Sequence, residues 1–213
     1  MKERIVFTPF ELDFLSNASS EMKALIDLIG EVETYCIPDP FTSLVSQIVY
    51  QFISFKAATV IWERMYEKFK PLTPEKILAI DFGELKSIGL SNSKTQYIIN
   101  IANAFYNNTI NSNFASMSDE EVINEVTKIK GIGLWTAQMF LIFSLKRPNV
   151  ISYGDVAIRK GIEWLYDIDH KLTKSEFEHY RTLYSPYNTA ASHYLWEITI
   201  RAHWNSKIDD DMK

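Results

Sequence analysis

The sequence predicts an all-α protein. Apolar residues recur at three- and four-residue spacing along most of the chain, which gathers them on one face of a helix. Ser118 with Glu121, and Thr173 with Glu176, have the spacing of a capping box at a helix start. Period-two strands are absent; Asn149-Val150-Ile151-Ser152 is the one short candidate and reads as loop.

The elements follow in order. Pro9, just after Thr8, suits a first helical turn, with Phe10, Phe14 and Leu15 as its apolar face. Ser19 or Ser20 caps a second helix that carries Leu25, Ile26 and Ile29 and stops at Gly30. Pro38-Asp39-Pro40 breaks the chain. Leu44, Val45, Ile48, Val49 and Phe52 form the next stripe, and Ala58, Ile61, Trp62, Met65, Tyr66 and Phe69 the one after. Pro71 and Pro74 punctuate, with Thr73 as a cap; one or two short helices then run from Ile77 to Ile88 and close at Gly89. A helix from Ser91 to Tyr106 buries Tyr97, Ile98, Ile101, Ala102 and Phe105. After an Asn-rich loop, Ser118 caps a helix with Val122, Ile123, Val126 and Ile129. An apolar helix spans Leu134 to Leu145. Later helices carry Val156, Ile158, Ile162 and Leu165, then Phe177, Tyr180 and Leu183, then Ala190, Ala191, Tyr194, Leu195 and Ile198. The whole chain, 1–213, reads as one unit with two lobes: about 41–145, including the hairpin 127–136, and about 1–40 with 150–205.

Bulk numbers narrow the function. With 213 residues and 46% hydrophobic content the chain is an ordinary globular size. No signal peptide is visible, and no apolar run approaches the ~20 residues that span a bilayer, so no membrane partner is expected. A single cysteine, Cys36, rules out an internal disulfide and a four-cysteine iron–sulfur cluster, and fits a cytoplasmic location. The net charge of −5 argues against binding nucleic acid through bulk charge. His170, His179, His193 and His203 have no zinc spacing.

One stretch concentrates chemistry. Lys130-Gly131-Ile132-Gly133 joins two helices with almost no linker. The glycines admit backbone conformations closed to other residues and let another backbone approach. Gly133 should begin a helix whose unpaired amides attract an anion, for which a phosphate is the natural ligand. A plain αα-turn would look the same. From Thr127 to Gly161 the cations are Lys128, Lys130, Lys146, Arg147, Arg159 and Lys160, and Asp155 is the only acid. In an acidic chain this segment has reversed sign, as phosphate binding asks; a solvated charged face is the alternative.

KIKGIGLWTAQ followed by YGDVAIRKG resembles the helix-hairpin-helix, Gly/Pro-rich-loop-Asp superfamily of DNA glycosylases, and within it DNA-3-methyladenine glycosylase II. Gln51, Ser54, Ala57 and Ala58 are similar to its early Gln-x-x-Ser-x-x-Ala-Ala signature, SIGLSNSKTQYI to its second glycine turn, and YSPYNTAASHYLWE to its C-terminal segment. The resemblance spans about Phe41 to Arg201. There are departures. Lys130 replaces the usual proline before Gly131, Phe52 stands where a second glutamine is common, and the longer members' amino-terminal β-domain has no counterpart.

The resemblance implies a two-lobed fold with an active-site cleft between the lobes. It implies a monofunctional, monomeric enzyme of base excision repair. That enzyme removes alkylated purines of the 3-methyladenine and 7-methylguanine type from double-stranded DNA. Asp155 would be the catalytic carboxylate, stabilising an oxocarbenium-like sugar or orienting water; read alone, it is also an ordinary helix cap. Bifunctional relatives carry lysine at the position of Trp135, so lyase chemistry is not expected. Trp135, Tyr187, Met139 and Gln51 would line the base pocket, where electron-rich rings favour a cationic purine; Trp135, Met139 and Ile142 also form a helical stripe that suits a core. Lys130, Gly131, Ile132, Gly133, Thr136 and Arg159 would bind DNA. Phe52 would wedge into the base stack, or continue the Leu44–Ile48 core face. No cofactor is required; the carbonyls of Thr127, Ile129 and Ile132 could hold a sodium or potassium ion. The competing readings are a non-catalytic DNA-binding module and a glycosylase for oxidised or mismatched bases.

Overall fold

A computed structural model describes the backbone of residues 2–211 and the side chains of residues 2–201; the His203 side chain lies outside them. Helices dominate, as the spacing predicts. They are α1 (Pro9–Ala18), α2 (Ser20–Ile29), α3 (Pro40–Tyr50), α4 (Phe55–Phe69), α5 (Pro74–Ala79), α6 (Phe82–Lys86), α7 (Asn92–Tyr106), α8 (Asp119–Val126), α9 (Leu134–Phe143), α10 (Val156–Leu165), α11 (Lys174–Tyr184) and α12 (Asn188–Asp211). The expected absence of strands is corrected: β1 (Glu3–Ile5) and β2 (Thr34–Cys36) pair as a two-stranded sheet. Three residues are too few for an alternating pattern to register. Residues 149–152 are loop.

Helix starts are set by side chains that satisfy orphan amides. Ser118 with Glu121 and Thr173 with Glu176 close capping boxes, and so does Thr8 with Glu11 ahead of Pro9. Asp39, Ser54, Thr73, Asp81 and Ser91 cap α3 to α7 with single bonds or, for Asp81, two.

The chain divides into two compact units: Met1–Glu3 with Cys36–Lys146, and Arg4–Tyr35 with Arg147–Lys213. The first unit is built on α3, which packs on α4, α7 and α9. Leu44, Val45, Ile48 and Val49 of α3 are buried, as are Ile98, Ile101 and Ala102 of α7 and Phe140, Leu141 and Ile142 of α9. Each of these side chains larger than alanine contributes roughly 1.5–3 kcal/mol of transfer free energy. Phe114 meets Phe140 edge-on at 5.2 Å.

In the second unit α10 lies against α12, over a core of Leu15, Met22, Leu25, Ile158, Ile162, Phe177, Tyr194 and Leu195. Hydroxyls from Ser19, Tyr166 and Tyr184 join in a chain of two 2.7 Å hydrogen bonds that ties three helix ends together. The two helices α10 and α12 are close because Gly161 has no side chain: a Cβ there would stand 2.5 Å from the Leu195 carbonyl oxygen. Gly161→Ala should therefore push α10 from α12 and cost about 1–3 kcal/mol, read as a lower denaturation midpoint. An unchanged midpoint would mean that the helices do not need this approach.

Candidate hairpin and carboxylate sites

The hairpin belongs to the first unit. Its tightest point is Gly131, at φ 113°. An added Cβ would sit 2.3 Å from Tyr97 Cγ, so the ring closes the space a side chain needs. The carbonyls here are held from behind. Asn100 Nδ2 donates to Lys130 O at 2.9 Å, and Gln51 Nε2 donates to Gly131 O at 3.1 Å. Gln51 Nε2 also donates to Thr136 Oγ1 at 2.7 Å. With its carbonyls engaged inward, the hairpin leads directly into α9.

That helix starts without a side-chain cap: Gly133 is the N-cap residue, and no side chain hydrogen-bonds there among the described residues. The first amides of a helix have no intrahelical acceptor, and the dipole adds positive potential. Gly133 itself departs from expectation. Its φ of −97° and ψ of 178° are extended backbone open to any residue, and a Cβ there would meet nothing within 4 Å. What it offers is open space in front of the amides, not an unusual conformation.

Several expected site residues take other roles. Gln51 is only 5% exposed, and its amide is spent on the hairpin rather than aimed at a base. Thr136 is buried with its hydroxyl accepting from Gln51, so any DNA contact from it falls to its first-turn amide. Met139 is buried among the α9 core residues, away from a pocket role. Trp135 is half-buried. Lys130 is exposed and has no ion-pair partner among the described residues.

Phe52 is 96% exposed, which overturns the core reading. It follows the C-cap Gln51 at φ 53°, a left-handed conformation that costs a non-glycine residue about 1–2 kcal/mol. The turn turns outward just where the three-four stripe of α3 ends. Sequence spacing carries the stripe one residue too far because it has no knowledge of that reversal. Lys94, unremarked in the sequence, steadies the same helix end: its Nζ donates to Val49 O at 2.8 Å, and burial pulls its pKa below the ordinary lysine value.

Acids from outside the segment 127–161 pair with three of its cations. Lys128 pairs with Glu125 at 2.6 Å, Lys146 with Glu3 at 3.0 Å and Lys160 with Glu163 at 3.4 Å. Arg159 donates to the Tyr153 carbonyl and lies 5.0 Å over the Tyr153 ring, which makes it a brace for the loop before α10 rather than an open DNA contact.

The second unit carries Asp155. It caps α10 and is 8% exposed. Its Oδ1 accepts from Ile158 N at 3.0 Å and from Trp196 Nε1 at 3.3 Å. The loop leading to it is pinned to α12. Thr189 N donates to Pro148 O at 2.9 Å, Val150 N to Thr189 Oγ1 at 3.1 Å, and Ser192 Oγ to Val150 O at 3.1 Å. Tyr187 is half-buried, with the rings of Phe14 at 5.2 Å and Phe10 at 6.0 Å, both nearly perpendicular to it. His193, buried on α12, is held down to about pKa 3 by desolvation and is neutral at physiological pH. It packs between Phe7 and Trp196. Sequence reasoning missed Trp196; a tryptophan on an apolar helix face gives no sign of where its N–H points. Among the described residues no group of His, Cys, Asp and Glu could hold a metal ion, and no helix is long and apolar enough to cross a membrane.

A family model described as HhH-GPD superfamily base excision DNA repair protein matches residues 45–186. The DNA-3-methyladenine glycosylase 1 of Schizosaccharomyces pombe is 31% identical over 220 residues, covering 97% of this chain and 95% of that protein. A solved structure of 3-methyladenine DNA glycosylase from that yeast, in complex with abasic DNA, superposes with a TM-score of 0.81 at 31% identity, over 88% of this chain and 95% of that one. The DNA-3-methyladenine glycosidase of Bacillus halodurans gives 0.77 at 32% identity, over 92% of each chain.

The hairpin geometry separates its two glycines. Gly131→Ala should cost about 2–4 kcal/mol, from positive φ and the clash with Tyr97 together. Gly133→Ala should cost less, about 0.5–1 kcal/mol, the ordinary penalty for alanine at an N-cap. Denaturant unfolding of the two variants checks this, and equal losses would contradict it.

Proposed function

The chain belongs to the HhH-GPD superfamily of base excision DNA repair proteins, and from that premise we propose that it is a monofunctional DNA glycosylase that removes alkylated purines from duplex DNA. The observation that carries the reading is Asp155: a carboxylate buried at a helix start, fixed by two donors, in a chain 31% identical along nearly its whole length to a named 3-methyladenine glycosylase.

The chemistry follows from charge. Methylation at N3 or N7 makes the purine a cation, so it leaves with the electron pair of its bond to C1′ without needing a proton donor. The sugar is left positive. An ionised Asp155 lowers the energy of that cation, and water completes the step by forming the C1′–O bond and losing a proton. Trp135 has no amine, so it cannot form a Schiff base with the sugar; the proposed enzyme hydrolyses and does not cut the strand. The rings of Trp135 and Tyr187 are suited to a cationic base. Flipping is cheaper for damaged, weakly paired bases.

The uncapped start of α9, with Gly131, Ile132 and Gly133 before it and Lys130 beside it, is the proposed grip on a phosphate. Phe52 is the proposed wedge that fills the gap a flipped nucleotide leaves. The reaction needs no cofactor. A sodium or potassium ion on the carbonyls of Thr127, Ile129 and Ile132 would bridge hairpin and phosphate. The donors are of the right type: the Ile129 carbonyl accepts from Ile132 N at 3.0 Å and keeps a second lone pair. We also place the enzyme in the cytoplasm as a monomer.

Duplexes carrying 7-methylguanine or 3-methyladenine should lose free base, measured by chromatography, with the strand intact until alkali is added. Asp155→Asn should slow release about a hundredfold or more while binding to an abasic-analogue duplex persists. Binding without any release by the parent protein would sink the enzyme reading in favour of a DNA-binding module. Phe52→Ala should leave thermal stability within a degree or so, since the ring is solvent-exposed, yet weaken both release and analogue binding. Unchanged binding in that variant would remove Phe52 from the wedge role.

A further inference from the structure

The indole of Trp196 is an interior donor that the proposed chemistry has not yet used. Its Nε1 reaches Asp155 Oδ1 at 3.3 Å, the same oxygen that accepts from Ile158 N at 3.0 Å. The second bond is the ordinary cap of α10. It fixes one oxygen to the helix start. The first arrives from another helix, α12. Two donors on one oxygen from two elements define the plane.

The indole is itself well held. The His193 ring meets it edge-on at 5.0 Å, and burial keeps that histidine neutral. The loop that ends in Asp155 is tied to α12 through Thr189 and Ser192, and α10 touches α12 at Gly161 and Leu195. Donor and acceptor therefore sit on one braced frame within the second unit. An indole N–H is also the right kind of donor: it has no acceptor lone pair and does not ionise in water, so it orients the carboxylate without competing for its proton.

We infer that Trp196 is a positioning residue for the glycosylase reaction, its N–H setting the orientation of the Asp155 carboxylate towards the sugar. The inference rests on the glycosylase reading. A bond of this kind to a charged group is worth enough that its loss slows the chemical step about tenfold to a hundredfold.

Single-turnover release of 7-methylguanine from a duplex, with the affinity for an abasic-analogue duplex measured alongside, tests it on the full chain. Trp196→Phe keeps an aromatic ring but removes the donor. Replacement of Trp196 by benzothienylalanine keeps nearly the whole indole shape with sulfur in place of N–H. Both variants should lose release rate about tenfold or more while analogue affinity and melting temperature stay near the parent's. A benzothienylalanine variant with parental rate would overturn the inference, since shape alone would then suffice; so would a loss of rate matched by an equal loss of affinity. If Trp196→Phe fails to fold, the isosteric variant decides alone. If the parent protein releases no base, the glycosylase reading itself has failed, and the inference falls with it.

Discussion

The hairpin depends on one carboxamide. Gln51 reaches from the end of α3 and spends both of its N–H bonds inside the first unit, on Gly131 O and Thr136 Oγ1. Each of these bonds is worth only about 0.5–1.5 kcal/mol net, but a buried carbonyl or amide left without a partner costs about 1–3 kcal/mol. The arrangement is therefore stiff by necessity: the turn cannot rotate the Gly131 carbonyl outward without stranding an N–H of the buried Gln51 amide. The consequence is directional. With the carbonyls of Lys130 and Gly131 engaged by Asn100 and Gln51, the start of α9 is left to present amides. The same glutamine precedes Phe52, so the residue that closes the hairpin also fixes where the chain turns out into solvent. A change at Gln51 would disturb both at once.

The second unit repeats the logic with a carboxylate. Asp155 is the cap of α10, and the apparent conflict between a structural and a chemical role dissolves on inspection of its bonds. Capping holds the side chain near its own helix start, while Trp196 adds a constraint from α12. A reactive group benefits from having lost its freedom before substrate arrives, because that entropy is then not charged to the reaction. Gly161 contributes from behind, since any side chain there would move α10, and Asp155 with it, off α12.

The elements were largely legible because helix starts are local. Ser118–Glu121, Thr173–Glu176 and the prolines at 9, 40 and 74 mark their helices within four residues of chain. Asp155 and the Gly131 turn were legible for the same reason. Illegible features depend on distant partners or on a reversal of direction. Nothing near Gln51 shows that its amide will meet a carbonyl 80 residues away. The Leu44–Ile48 stripe gives no warning that φ changes sign at Phe52. Likewise, the basic look of residues 127–161 was a property of the segment alone; Lys146 finds Glu3 across 143 residues, and part of the reversed charge is met by acids outside it.

That neutralisation bears on how such a chain could handle DNA at all. A protein of net charge −5, with Lys128, Lys146 and Lys160 paired to acids, has little long-range pull on a polyanion, and charges beyond about 8 Å are screened at physiological salt. Attraction then comes from contacts that act at touching distance, such as the α9 start that no described side chain caps, Lys130 and the exposed ring of Phe52. The chemistry draws on one local charge instead, that of Asp155. An alkylated purine is a cation before it leaves, and the sugar is a cation as it does. A buried carboxylate held in place at the site stabilises both. The carboxylate thus acts on the lesion and its transition state at contact distance, where the net charge of the chain does not reach.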